Sequence, residues 1–309
     1  MSPVSPHNAA VRHHMKTLVS EAFEDPTIAQ IRRGAENFGR IAQPKHGAPL
    51  GSIPVSADGV TGEWFMPADA DTTKRILYFH GGGWFLNSVD THRRLIAEIA
   101  RVARRPVLAI DYRLAPEHAF PKGLEDCATA LAWLFDNGPN GPEAARDVAV
   151  VGDSSGGNLT AAVTLHALTN GRRAPDRIAL ICPVTDPRQP PRRPEPKGLD
   201  DPAMANEVVV FTLTHYTPND PSGDNPLIAP LSAAPDLLRR FPPTLIQVGS
   251  DEFLRDQCVE FAAALWNEDV PVHLSVWPKM PHVWHHFIDE LPRARQAIRE
   301  IVEFLDTSV

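Results

Sequence analysis

With 309 residues, 43% of them hydrophobic, the chain has material for one large core, and its 22% charged residues suit a folded globular protein. A formal net charge of -8 with no basic cluster argues against nucleic acid, whose phosphates a partner must neutralise. Cys127, Cys182 and Cys258 fit neither a disulfide framework nor a metal spacing, and with a polar Met1–Ala10 and no long apolar run, the expectation is a cytoplasmic protein without leader or membrane span.

Up to about Pro44, Val11, Met15, Leu18, Val19, Phe23, Ile28 and Ile31 recur at helical spacing and predict amphipathic helix. Pro44 to Pro54 is a loop. Val55 to Phe65, with Gly59 and Gly62, reads as an antiparallel opening to a sheet. Strands follow at Ile76–Phe79, Pro106–Asp111, Val148–Val151, Ile178–Cys182, Thr244–Val248 and Val272–Trp277. Helices are predicted at Val89–Val102, Leu124–Asn137, Leu159–Leu165, about Asp256–Asp269 and Leu291–Leu305. This alternation predicts an α/β fold with a mostly parallel central sheet and helices on both faces.

One stretch breaks the alternation: the Pro/Arg-rich Thr185–Gly198, followed by the helix-like Asp201–Tyr216. Residues 1–45 and 186–216 are therefore expected to form a mainly helical cap. The catalytic core would be 46–185, continued by 217–309.

The buried-strand reading of Val148–Val151 runs into Gly152-Asp153-Ser154-Ser155-Gly156 and then into an apolar helix. Strand, Gly-x-Ser-x-Gly turn and helix together make a nucleophile elbow, which presents Ser154 at the tip of a strained turn. Glycines are needed where the backbone crowds, and Gly152 and Gly156 stand there. The backbone N–H of Ser155 opens the helix and points where an oxyanion would form. A second motif, His80-Gly81-Gly82-Gly83-Trp84, also follows a strand and offers bare N–H groups to a substrate oxygen.

A nucleophilic serine needs a base and an orienting carboxylate, in this fold in the order Ser, Asp/Glu, His. Asp251 follows the Thr244–Val248 strand on the sheet edge that carries Ser154 and is the predicted carboxylate. Asp256 is the alternative, and the adjacent Glu252 is expected to point away. His282, after Val272–Trp277, is the predicted base. His285 and His286 read as helix-surface residues, His13 and His14 as surface, and His80 as a brace for the glycine loop. No Asp or Cys partners stand at metal-ligand spacing, so neither metal nor cofactor is expected.

Together, His80–Trp84, Asp111-Tyr112-Arg113-Leu114-Ala115-Pro116-Glu117, Gly152–Gly157, the Asp251 segment and Met280-Pro281-His282 resemble the hormone-sensitive-lipase family of α/β-hydrolase carboxylesterases. The resemblance implies an α/β-hydrolase fold with a cap. It implies Ser154 as nucleophile, His282 as base, Asp251 as its partner, and an oxyanion hole from the N–H groups of Gly82, Gly83 and Ser155. It implies hydrolysis of short- to medium-chain esters, with a homodimer as a further expectation. The family usually has alanine where Ser155 stands and Gly-Ser where Asn87-Ser88 stands; the first departure should matter little, because the backbone N–H is what is used. Trp84, Phe85, Phe211 and Tyr216 are candidates for the acyl pocket, although aromatics in such places equally form plain core. An amidase or lactonase would use the same triad. A binding protein on a dead hydrolase scaffold would be expected to lack a triad member.

Overall fold

The computed structural model describes residues 9, 11–12, 28–41, 50–188, 201, 206–220 and 224–307. The predicted N-terminal helix is described over Ile28–Ile41 (α1). Its earlier part, with Met15, Leu18, Val19, Phe23 and the His13-His14 pair, lies outside the described residues, as does the Pro/Arg-rich Thr185–Gly198 from residue 189 onward.

Eight strands form the sheet: β1 (Ser52–Ala57), β2 (Val60–Phe65), β3 (Lys74–Phe79), β4 (Val107–Ile110), β5 (Asp147–Asp153), β6 (Arg177–Ile181), β7 (Thr244–Gly249) and β8 (Val272–Trp277). Their spatial order is β1-β2-β4-β3-β5-β6-β7-β8. The pairs β1–β2 and β2–β4 are antiparallel and the rest are parallel, as the alternation predicts. The helices are α2 (Val89–Ala103), α3 (Lys122–Asp136), α4 (Ser155–Thr169), α5 (Asn206–Tyr216), α6 (Arg255–Trp266) and α7 (Pro292–Asp306), besides shorter turns.

The two-residue period of the strands sorts their side chains between two cores. Ile76, Tyr78, Ala149, Val151, Ala179 and Ile181 lie on one face with α2 and α7. Leu77, Phe79, Val148, Val150, Ile178 and Leu180 lie on the other with α3, α4 and α6. Strands buried on both faces must read as continuous apolar runs, which is why they were visible in the sequence. The helices differ with their positions. On α7, Ile298, Ile301, Val302 and Leu305 form one buried stripe, each contributing roughly 1.5–3 kcal/mol of burial. By contrast α4 runs through the interior and buries nearly its whole circumference.

In a parallel sheet the carboxyl ends of the strands share one edge, the edge where such folds bind ligands. His80 follows β3, Ser154 follows β5, Cys182 follows β6, Glu252 follows β7 and His282 follows β8. Among the described residues no helix is long and apolar enough to cross a membrane.

Candidate active site

Ser154 sits between β5 and α4 with φ 54° and ψ −119°, a region sparsely populated by residues with a side chain and costing of order 1–3 kcal/mol. The turn is held from outside. Ser154 N–H donates to the Ile181 carbonyl at 2.8 Å, and its own carbonyl accepts from Asn158 N–H at 3.0 Å and Val184 N–H at 3.2 Å. The two glycines are required by space: a Cβ on Gly152 would lie 2.3 Å from the Gly156 carbonyl oxygen, and one on Gly156 would lie 2.1 Å from that of Phe79.

The Ser154 hydroxyl meets His282 Nε2 at 2.9 Å. On the other side of the ring, Nδ1–H donates to Glu252 Oε1 at 2.8 Å. Glu252 is fully buried, and its Oε2 accepts Gly249 N–H at 2.9 Å. Burial by itself lowers the basicity of His282, but the charge and hydrogen bond of Glu252, with a smaller contribution from Asp201, raise it above the ordinary 6.5. Asp201 is seated beside the same loop, accepting Phe253 N–H at 2.8 Å.

Asp251, the carboxylate expected on His282, makes no hydrogen bond to it among the described residues. Its carboxylate accepts from Ser250 Oγ at 2.9 Å and faces Arg12 at 3.5 Å, with its side chain 33% exposed. Asp256 pairs with Arg255 at 2.8 Å. The loop after β7 turns so that Glu252, the residue expected to point away, enters the interior. The close approach of two chain segments fixes that turn: a Cβ on Gly249 would lie 2.0 Å from the Met280 carbonyl oxygen. No local signal separates the two adjacent acids.

His285 and His286 are also placed differently. They belong to a short 3-10 turn, Trp284–His286, rather than a helix surface. His285 is fully buried and its Nε2 bonds Gln247 Oε1 at 2.8 Å, which fastens the segment carrying His282 to β7. Burial, then the neighbouring histidine, lowers both to a pKa of about 3.

The glycine loop lies over the elbow. The N–H groups of Gly82 and Gly83 and that of Ser155, the first residue of α4, donate to no protein group among the described residues. Gly81 N–H donates to Asp153 Oδ1 at 3.1 Å, and Tyr78 OH donates to the same oxygen at 2.6 Å. His80 braces the loop through Nδ1, 2.8 Å from the Gly81 carbonyl. Trp84 stacks on Tyr216 at 4.3 Å, and Phe85 meets Phe211 edge-on at 5.4 Å. The four aromatics therefore pack α5 against the glycine loop, and Trp84, Phe85 and Tyr216 are all buried. From the other side, Arg32 of α1 donates to the carbonyls of Phe85 at 2.8 Å and Ala115 at 2.7 Å and forks onto Glu117.

Among the described residues two trios bring possible metal-ligand atoms within 4.8 Å: His92 with Asp153 and His286, and Cys182 with Glu252 and His282. In the first, Oδ1 of Asp153 is occupied by Tyr78 and Gly81, while Oδ2 faces His92 Nε2 at 3.3 Å. The second contains the histidine–carboxylate pair on Ser154. A cation in either would have to break these hydrogen bonds.

Residues 76–286 match the model of a family described as having the alpha/beta hydrolase fold. A solved esterase from the bacterial hormone-sensitive lipase family superposes with a TM-score of 0.86 at 32% identity over 98% of each chain. The chain belongs to the hormone-sensitive-lipase-like carboxylesterases of the α/β-hydrolase superfamily.

Among relatives of this carboxylesterase, an esterase of Acinetobacter venetianus is 32% identical over 81% of this chain and 80% of its own. An acetyl-hydrolase of Streptomyces hygroscopicus is 33% identical over 92% of this chain and 90% of its own. The solved esterase EstE5, soaked with p-nitrophenyl butyrate, is 29% identical with a TM-score of 0.84, and 98% of each chain is covered.

Proposed function

We propose that this carboxylesterase hydrolyses short- to medium-chain carboxylic esters by two-step acyl transfer, with Ser154 as nucleophile, His282 as general base and Glu252 as the orienting carboxylate. The observation that carries the reading is the continuous hydrogen-bonded line from Ser154 Oγ through both ring nitrogens of His282 to Glu252, at 2.9 and 2.8 Å. His282 Nε2 takes the Ser154 proton as Oγ bonds to the ester carbonyl carbon, and the carbonyl π pair moves onto oxygen. The N–H groups of Gly82, Gly83 and Ser155 receive that oxyanion. The oxygen pair re-forms C=O, the C–O bond to the alcohol breaks, and His282 returns its proton to the leaving alkoxide. Water repeats the sequence on the acyl-enzyme, frees the acid and restores Ser154.

Glu252 holds Nδ1 protonated, so Nε2 faces the serine as the basic nitrogen, and it stabilises the imidazolium that forms between the two transfers. The α1 helix and the 186–216 segment act as the cap that selects the acyl group, in keeping with the contacts of Arg32, Phe211 and Tyr216 on the glycine loop. A short acyl preference is supported by the acetyl-hydrolase relative and by the butyrate-soaked structure.

The test is hydrolysis of p-nitrophenyl esters from acetate to laurate by wild type and Ser154→Ala. Turnover should be highest at the short end and fall on the order of a million-fold in the variant. A wild type inert on every ester that still reacts with a fluorophosphonate would shift the substrate to an amide or lactone. Failure of both reactions would refute an activated serine.

A further inference from the structure

In the mechanism above, Ser155 acts only through its backbone N–H, for which the identity of its side chain is immaterial. Yet that side chain is fully buried, and a buried hydroxyl must find partners. Its Oγ accepts the N–H of Trp84, the residue directly after Gly83, at 3.2 Å. The Tyr112 phenol donates to the His80 carbonyl at 2.7 Å. Burial pushes the Tyr112 phenol far above its ordinary pKa, so it remains a donor at any working pH.

These ties bracket the oxyanion donors. On one side of Gly82 and Gly83 the His80 carbonyl is held by Tyr112 and Gly81 N–H by Asp153; on the other, Trp84 N–H is held by Ser155. The loop needs the restraint. Gly82, Gly83 and Trp84 have φ of 122°, 62° and 62°, and for a bulky residue such as Trp84 a positive φ is costly. Asp153 and Ser155 are the chain neighbours of Ser154, so the residues flanking the nucleophile also hold the loop that supplies the other donors.

We propose that Ser155 is a positioning residue: through the Trp84 N–H its hydroxyl keeps the Gly82 and Gly83 N–H groups aimed at the oxygen that becomes negative beside Ser154. The proposal rests on the esterase reading above and adds to it a side chain at which the sequence suggested only a backbone role.

Four forms decide it: wild type, Ser155→Ala, Tyr112→Phe and the double variant, each assayed on p-nitrophenyl acetate and butyrate. Misaiming a donor costs less than the hundred- to thousand-fold of deleting one, so Ser155→Ala should lose about tenfold in kcat and equally in kcat/KM. A trifluoromethyl ketone, which adds the Ser154 hydroxyl and places a negative oxygen in the same spot, should bind weaker by the same factor. Tyr112→Phe frees the His80 carbonyl on the other side of Gly82 and Gly83 and should lose about as much, and because the two variants cut separate ties to one loop, the double variant should lose at least as much as the worse single. A purely structural serine would lower Tm while leaving kcat per titrated active site and ketone affinity unmoved. That result overturns the proposal. Should Ser155→Ala not fold, Ser155→Cys, which keeps the volume but offers Trp84 N–H a much weaker acceptor, is judged by the same two readouts. A wild type inert on every ester overturns the esterase reading instead, an outcome distinct from an active wild type with an unaffected Ser155→Ala.

Discussion

Exchanging the two adjacent acids after β7 separates a structural carboxylate from one the chemistry requires. Glu252 is fully buried and its partner His282 nearly so, the histidine side chain being 9% exposed. In the proposed acyl transfer His282 becomes imidazolium, and Glu252 is its only carboxylate within hydrogen-bond reach among the described residues, at 2.8 Å. Removing one partner of a buried charge pair costs about 3–5 kcal/mol. At 1.36 kcal/mol per decade this lowers kcat by roughly two to nearly four decades. Glutamine cannot substitute. If its oxygen accepts His282 Nδ1–H, its NH2 confronts Gly249 N–H, the present donor to Oε2 at 2.9 Å. If it turns over, the NH2 faces Nδ1 and stabilises the tautomer with the proton on the wrong nitrogen. Asp251→Asn, by contrast, disturbs a partly exposed carboxylate whose ion pair with Arg12 spans 3.5 Å, an interaction worth about 0–1 kcal/mol. Its kcat should remain within about threefold of wild type. The assay is kcat and kcat/KM on p-nitrophenyl acetate, with circular dichroism to show both variants folded. The pH profile adds a second readout. Wild-type kcat/KM should have its acid limb above pH 6.5, because Glu252 raises His282 against the lowering effect of burial. In Glu252→Gln the lowering effect of burial remains against only the weaker pulls of Asp201 and Asp153, so the acid limb of the residual activity should move to lower pH. Loss of decades in Asp251→Asn with Glu252→Gln near wild type would refute the assignment.

Gly249→Ala would place a Cβ 2.0 Å from the Met280 carbonyl oxygen. The loop bearing His282 would have to shift by about 1 Å, which should cost on the order of a hundred-fold in kcat; an unimpaired variant would show that this approach does not set the histidine. Protein stability should fall as the medium is acidified. His80, His285 and His286 are held near pKa 3, chiefly by burial, and stay neutral while the unfolded chain takes up protons below 6.5. Their stabilisation is complete above pH 6.5 and is lost as pH falls from there towards 3. His282, whose pKa is raised, works in the opposite direction but is one group against three. Tm measured from pH 7.5 to 5 should decrease, and a flat or rising curve would contradict the buried, neutral state of these histidines.

What the sequence made legible was whatever depends on residues close together in the chain. Apolar runs buried on two faces located β3 to β7, and Gly152 and Gly156 marked the elbow because close backbone contacts there exclude any Cβ. These local signals also assigned every functional segment to one edge of the sheet. They were silent on which neighbour within a segment turns inward. Asp251 and Glu252 have the same chemistry and nearly the same position, and what selects Glu252 is the contact of Gly249 with Met280, residues brought together by the parallel pairing of β7 and β8. The same holds for His285, whose inward turn depends on Gln247 in a different strand. Ser155 is the sharpest case. The motif suggested a backbone role for it, whereas its hydroxyl finds Trp84 at a separation of 71 residues. Such a bond leaves no periodicity or spacing to read, and its partner is an N–H that every residue but proline carries. Local pattern therefore determines where the chemistry is assembled, and long-range contacts determine which side chains assemble it.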